Sequence, residues 1–194
     1  MLGTNHTSSP DLAELTGFPV LGTLAGRTVT ITLIKRHLPI GAHHVERTAA
    51  IVEMVRSYLP DVEPAQGSLA TGLANTNNVV HPPLAVVNAA RIDGGLPFRF
   101  YREGLTPGGA RLIEAVDRDR LAVTDALGIE RVSITDWFRR FYGDQGLVGE
   151  DVATMLGTFA PLAGSPGPST TGHRYLTDDV ESGLAVIEAV GRQL

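Results

Sequence analysis

Thr106-Pro107 places a hydroxyl helix cap directly before a first-turn proline, and Leu112, Ile113, Val116, Val123 and Leu127 then recur on one stripe until Gly128. A long helix that is apolar along one side must lay that side against other elements, so the chain has to build a helical core around it. Further helices follow the same logic. Ser133 with Asp136 resembles a capping box opening a short aromatic helix through Trp137, Phe138 and Phe141, closed by Gly143. Met155 and Leu156 lie in another short helical stretch, and Ala163–Gly172 is a loop of Gly, Pro, Ser and Thr after its first residue. The last helix begins near Thr177 or Asp178 and is expected to bury Val180, Leu184, Ile187 and Val190.

The N-terminal part reads differently. Residues 1–26 carry Thr, Ser, Gly and Pro with few bulky apolar groups, which predicts a flexible, irregular extension. Val29 to Ile34 alternates β-branched apolar residues with Thr, predicting a strand with one buried face. Glu46 to Leu59 predicts a helix with Ala49, Val52, Val55 and Leu59 on its stripe and Pro60 stopping it. The expected architecture is mainly α: a helical bundle with one or two short N-terminal strands, residues 27–194 forming a single domain. With 43% hydrophobic residues the chain can bury one core, and it shows no internal repeat.

Composition narrows the function classes. The net charge of -5 arises from acidic and basic residues interspersed along the chain, with no Lys/Arg run to neutralise phosphates, so nucleic acid is not an expected partner. Cysteine is absent, which removes disulfides, thiolate nucleophiles and thiolate metal sites. The N-terminus lacks the basic start and apolar run of a signal peptide, and no stretch approaches a membrane span. A soluble cytoplasmic protein is the expectation.

Two segments concentrate chemistry. Asn75-Thr76-Asn77-Asn78-Val79-Val80-His81-Pro82-Pro83 packs three amides and an imidazole before a double proline, which frees backbone carbonyls and bends a helix. Either these side chains converge on a bound molecule, or His81 is a hydrogen-bonded core histidine and the asparagines are caps. His173-Arg174-Tyr175-Leu176-Thr177-Asp178-Asp179 places a guanidinium before a helix start and two carboxylates in its first turn. The carboxylates can simply complement the helix dipole, with Arg174 paired to one of them. Alternatively Arg174 grips a substrate carboxylate while Asp179 orients a histidine.

Other candidates are weaker. Adjacent His43 and His44 diverge on a helix and have no carboxylate cluster beside them, so no metal is expected. Gly164-Ser165-Pro166-Gly167 lacks the P-loop lysine, no G-x-G-x-x-G follows a strand, and no G-x-S-x-G elbow occurs.

Three ordered blocks carry a family resemblance: NTNNVVHPPLAVVNAARID, FYREGLTPGGARLIEAVDRDRLAV and HRYLTDDVESGL. They are similar to the N-x-N-P-x-x-H-P, F-Y-x-E-G-x-T-P and R-Y-L-x-E-D blocks in the C-terminal helical substrate domain of the opine (octopine/nopaline) dehydrogenases. ITLIKRHLPIG resembles the strand and lysine segment closing that family's nucleotide domain, so the likeness runs from about Thr28 to Leu184. The resemblance implies an acid–base dyad of His81 and Asp179, with Arg174 holding a substrate carboxylate during condensation of an amino acid with a 2-oxo acid. Asn75, Asn77, Tyr101, Glu103 and Thr106 are the further residues it assigns to substrate binding.

Two departures matter. Asn78 stands where the family usually has proline, and the N-terminal Rossmann unit with its glycine fingerprint is missing, leaving no visible means of holding NAD. The expected function is therefore a cofactor-independent acid–base enzyme, a cyclase, isomerase or lyase of specialised metabolism, acting on a small polar substrate without a bound cofactor. The alternatives are the substrate-binding half of a split NAD(P)-dependent oxidoreductase that pairs with a separate Rossmann-domain chain, and a non-catalytic binding or assembly module. Uncovered apolar faces also lead us to expect a homodimer.

Overall fold

The structure, a computed structural model, describes residues 11–194. Its N-terminal part holds two small sheets. Strands β1 (Ala13–Leu15), β4 (Leu38–Ala42) and β5 (Val62–Pro64) form one, with β1 antiparallel and β5 parallel to the central β4. Strands β2 (Val20–Ala25) and β3 (Thr28–Ile34) form an antiparallel hairpin. Five short strands thus replace the one or two expected. The irregular extension is also corrected: residues 11–26 supply β1 and β2, while residues 1–10 lie outside the described residues. The extension was misread because strand pairing is made by the backbone, and the Thr- and Gly-rich β2 lacks a strong side-chain pattern. Its turn, Gly26-Arg27, works because glycine accepts the left-handed φ of 60°.

Strand β3 also departs from expectation in its burial. Leu33 is buried, but Val29, Ile31 and Ile34 are 63%, 54% and 43% exposed. Alternation signals that a strand has two different faces; it cannot say whether the chain supplies a cover for either.

A single 3₁₀ turn, Val45–Arg47, leads into α1 (Thr48–Arg56), which crosses from β4 to β5. Val52, Ile51 and Val55, with Leu59 beyond the helix, pack on Leu38, Ile40 and Val62, while Ala49 is exposed. Then come α2 (Ser68–Leu73), α3 (Thr76–Val87), α4 (Ala89–Asp93), α5 (Pro107–Ala126), α6 (Ile134–Tyr142), α7 (Val152–Thr158) and α8 (Ala185–Gly191). The mainly helical class holds. The main core joins α3, α5, α6 and α7 through Val79, Leu84, Phe100, Ile113, Phe138 and Met155.

The Thr106 hydroxyl accepts from Gly109 N at 3.1 Å, and Gly128 closes α5 with φ of 67°. Its buried face, however, includes a charge pair. Arg120 Nη2 lies 2.6 Å from Asp117 Oδ1, and the guanidinium also donates to the carbonyls of Leu73 and Val132. Asp117 Oδ2 in turn accepts from Ile134 N at 2.9 Å. This network ties α5 to the end of α2 and the start of α6. Its groups are mutually satisfied, so deleting one side strands the other in the core.

Ser133 caps α6 as expected, accepting from Asp136 N, and Trp137, Phe138 and Phe141 are buried. The left-handed glycine that ends this region is Gly146, after a 3₁₀ turn, not Gly143. At the C-terminal end Val180, Leu184, Ile187 and Val190 are only half-buried, because α8 runs along the outside of the bundle. Among the described residues no helix is long and apolar enough to cross a membrane.

Candidate active site

Helix α3 continues through its two prolines. The Asn75 side chain caps it, accepting from Asn77 N at 3.1 Å, and Pro82 and Pro83 lie inside it. Neither proline can donate to the carbonyl four residues back, so the hydrogen-bond ladder is open beside His81. The opposing carboxylate comes from the chain's last helical segment. Asp178 and Asp179 form its first turn, with their amides donating to Arg174 O, and the next five residues, Val180–Leu184, wind as a π-helix before α8. Such wide turns add a residue and re-aim the neighbouring side chains. Gly183 makes the approach possible: a Cβ there would sit 2.4 Å from Asn78 Cγ, so the segment can lie directly on α3 only without a side chain.

His81 is held on three sides. Its Nδ1 is 2.7 Å from Asp179 Oδ2, its Nε2 is 2.9 Å from the Tyr101 hydroxyl, and its ring stacks on Tyr175 with centroids 3.8 Å apart. A carboxylate accepts only, so the Nδ1 proton donates to Asp179 and the neutral ring's Nε2 accepts from Tyr101 O–H. Burial lowers the His81 pKa below its usual 6.5, against the opposing pull of Asp179. Burial also raises the Tyr101 phenol well above its usual value. Tyr175 is raised by burial, and His173 is lowered by burial and then by Arg174. The site therefore keeps a neutral imidazole poised beside an undissociated phenol.

His81, Tyr101 and Tyr175 line a cleft of about 670 Å³, counting its open mouth, with Asp179 behind the imidazole. Arg174 stands at its edge, the guanidinium 5.2 Å from the Tyr175 ring centroid, and makes no ion pair among the described residues. Leu21 and Leu33 of the hairpin form an apolar wall. The arrangement offers one cation for an anionic group and one imidazole–carboxylate pair for moving a proton.

Of the residues assigned from sequence, His81, Asp179, Tyr101, Arg174 and Asn77 gather here. Three do not. Asn75 and Thr106 are helix caps, and exposed Glu103 accepts from Arg99 N at 2.7 Å, holding the turn that carries Tyr101. Their side chains serve the backbone, which a motif match cannot distinguish from a pocket role. Tyr175 was missed although it adjoins Arg174 in the same block, because stacking depends on a ring 94 residues away in sequence. A second cleft of about 550 Å³, counting its open mouth, lies between β5, α2, α5 and α6, where Arg120 is already committed to Asp117 and two carbonyls. Among the described residues no three His, Asp or Glu side chains gather as a metal site.

With this geometry in hand, comparison with known proteins is decisive. The family described as NAD/NADP octopine/nopaline dehydrogenase, alpha-helical domain, matches residues 64–194. The chain belongs to this family. Among curated relatives it is similar to an opine dehydrogenase of Arthrobacter sp. strain 1C, 31% identical over 164 residues, covering 84% of this chain and 45% of the relative. It is 35% identical over 111 residues to a vitopine synthase of Allorhizobium ampelinum, covering 56% of this chain and 29% of that protein. A solved octopine dehydrogenase, in complex with NADH and agmatine, superposes with a TM-score of 0.72 at 20% identity, covering 93% of this chain and 51% of that one. The chain thus spans about half the length of the relatives it matches.

The family name implies a nicotinamide, and the described residues do not fit one. The β4–α1–β5 unit is parallel, but the turn after β4 reads His43-His44, and Glu46 sits at the helix entrance. A carboxylate there opposes a pyrophosphate, and the close-approach glycines of a dinucleotide turn are absent.

Proposed function

We propose that this chain is the substrate-recognition and proton-transfer half of an opine dehydrogenase-type oxidoreductase. The observation that carries the reading is the buried His81–Asp179 pair at 2.7 Å, whose imidazole lines the same cleft as Arg174, an arginine without an ion pair among the described residues. Arg174 holds the carboxylate of a 2-oxo acid or of its condensation product with an amino acid. The His81 imidazole moves a proton at the carbonyl or imine position, and Asp179 stabilises its cation. General acid–base catalysis of this kind contributes about 10²–10⁴-fold in rate. The hydride donor belongs to a nucleotide-binding domain, carried on a longer form of this chain or on a separate one. Exposed Leu24, Val29, Ile31, Met54 and Tyr58 supply apolar surface for such a domain to cover. Homodimerisation through that surface is the competing arrangement, and sedimentation of the purified chain distinguishes the two.

A second reading is a cofactor-independent acid–base enzyme of the cyclase, isomerase or lyase type. It is favoured by the completeness of the proton-moving groups within these residues. Calorimetric titration with pyruvate tests the first reading. We expect saturable binding in the wild type and at least about tenfold weaker binding in Arg174→Ala, the equivalent of losing one charge-assisted contact. Absence of saturable pyruvate binding by the wild type would overturn it. Turnover of a carboxylate substrate without added nicotinamide would favour the second reading.

A further inference from the structure

Both nitrogens of His81 are occupied. Asp179 takes Nδ1 and Tyr101 takes Nε2, the ring face is covered by Tyr175, and Phe100 lies 6.0 Å away on another side. A substrate can therefore reach the imidazole only by displacing the Tyr101 phenol or by working through it. The surroundings of Tyr101 decide between these. Phe100 N donates to Ser165 O, Gly167 N donates to Phe98 O, and Arg99 bridges to Pro166, so the segment is fastened on both sides of residue 99. The amides of Arg102, Glu103 and Gly104 all donate to Arg99 O, and Glu103 reaches back to Arg99 N. The Tyr101 ring itself is buried edge-on against Phe100, with centroids 5.1 Å apart. Nothing in this clamp resembles a hinge, and swinging the ring out would empty a packed site.

We propose that Tyr101 is a catalytic residue, the group that passes the reacting proton between the substrate and His81. The proposal rests on the acid–base reading above and extends it. In the deprotonating direction the substrate N–H or O–H bond breaks as a new bond forms to Tyr101 Oη. The original Oη–H bond breaks together with formation of Nε2–H on His81. The products are a substrate one proton poorer, an unchanged phenol and an imidazolium facing Asp179. The reverse direction protonates the substrate by the same moves. Burial makes a free phenolate costly, which is why both transfers belong to one concerted step. Tyr175, stacked on the ring face, cannot take this part because its contact reaches neither nitrogen.

The test compares wild type, Tyr101→Phe and Tyr175→Phe, labelled with ¹⁵N in histidine and ¹³Cζ in tyrosine. Phenylalanine keeps the ring and its packing. Without ligand, the His81 Nε2 resonance should move in Tyr101→Phe, which loses a hydrogen-bond donor, and stay in Tyr175→Phe. On adding pyruvate to the wild type, the Tyr101 Cζ resonance should shift while Nε2 keeps its hydrogen-bonded value. Tyr101→Phe should bind pyruvate within about threefold of wild type, and in opine formation assayed together with a nucleotide-binding domain that supplies the hydride its kcat should fall at least about 100-fold with KM little changed, the scale of a lost general acid–base group. An Nε2 resonance that is identical in wild type and Tyr101→Phe overturns the relay whether or not pyruvate binds. So does a ligand-bound wild type whose Nε2 takes the Tyr101→Phe value, because the phenol has then been displaced. If the ligand-free difference is present but pyruvate moves no resonance, the carboxylate reading fails and the Tyr101–His81 coupling stands.

Discussion

Placing a methyl at residue 183 asks how tightly the dyad depends on the contact between α3 and the π-turn. In Gly183→Ala the new Cβ would lie 2.4, 2.5 and 2.7 Å from Asn78 Cγ, Oδ1 and Nδ2. Ordinary contact begins near 3.4 Å, so the segment must retreat by about 1 Å. Asp179 lies one turn earlier on the same segment. If the retreat carries it along, the 2.7 Å bond to His81 lengthens to about 3.7 Å, beyond hydrogen-bonding range. Overpacking costs about 1–3 kcal/mol, and the gain in helix propensity returns about 0.5–1 kcal/mol, leaving a net loss of about 0–2.5 kcal/mol. Urea unfolding measures the stability, and the downfield Nδ1 proton resonance of His81 reports the dyad. Asn78→Ala in the same chain makes room for the methyl, so the double variant should unfold no earlier than Asn78→Ala alone. A Gly183→Ala protein with the wild-type midpoint and an unmoved Nδ1 proton would refute the reasoning.

The remaining expectations concern the core and the titrating groups. Asp117→Ala strands the buried Arg120 guanidinium and should cost about 3–5 kcal/mol in urea unfolding; a loss below 1 kcal/mol would mean the pair is not buried as described. The pKa of His81 is lowered on folding from 6.5, so its contribution to stability is complete above that pH and is lost as pH falls through the folded value. Wild type should therefore lose stability between pH 7 and 5 more steeply than His81→Gln, and parallel profiles would contradict the assignment. Burial lowers Lys35 to about 8, so its neutral form is the one folding favours, and charging it at pH 7 opposes folding. Lys35→Met, which retains the stem over Phe141, should gain about 1–3 kcal/mol at pH 7, a gain that shrinks as pH rises from 8 towards 10.5. Thr106→Ala should cost about 1 kcal/mol of stability and leave pyruvate binding untouched, as befits a cap outside the cleft.

Local chemistry determined much of this protein. The caps at Thr106 and Ser133, the stripe of α5 and the double proline beside His81 are short-range features, and their physical consequences are settled within a turn or two of chain. The ordered blocks around His81 and Arg174 likewise marked which polar residues to watch. Tertiary structure decided the rest. The family resemblance paired His81 with Asp179, but local chemistry could not, because the contact spans 98 residues and depends on a π-turn and on Gly183 seating against Asn78. Tertiary structure also decided that Asn75, Glu103 and Thr106 serve the backbone, while Tyr101, carried in the same block as two of them, reaches the imidazole. Polar side chains satisfy whichever partner the packed backbone brings within 3 Å or so, and sequence spacing records only the partners nearby in the chain. The exposed β-branched face of β3 follows the same rule, since alternation writes a sticky surface into the sequence and only the assembled fold shows whether the chain itself covers it.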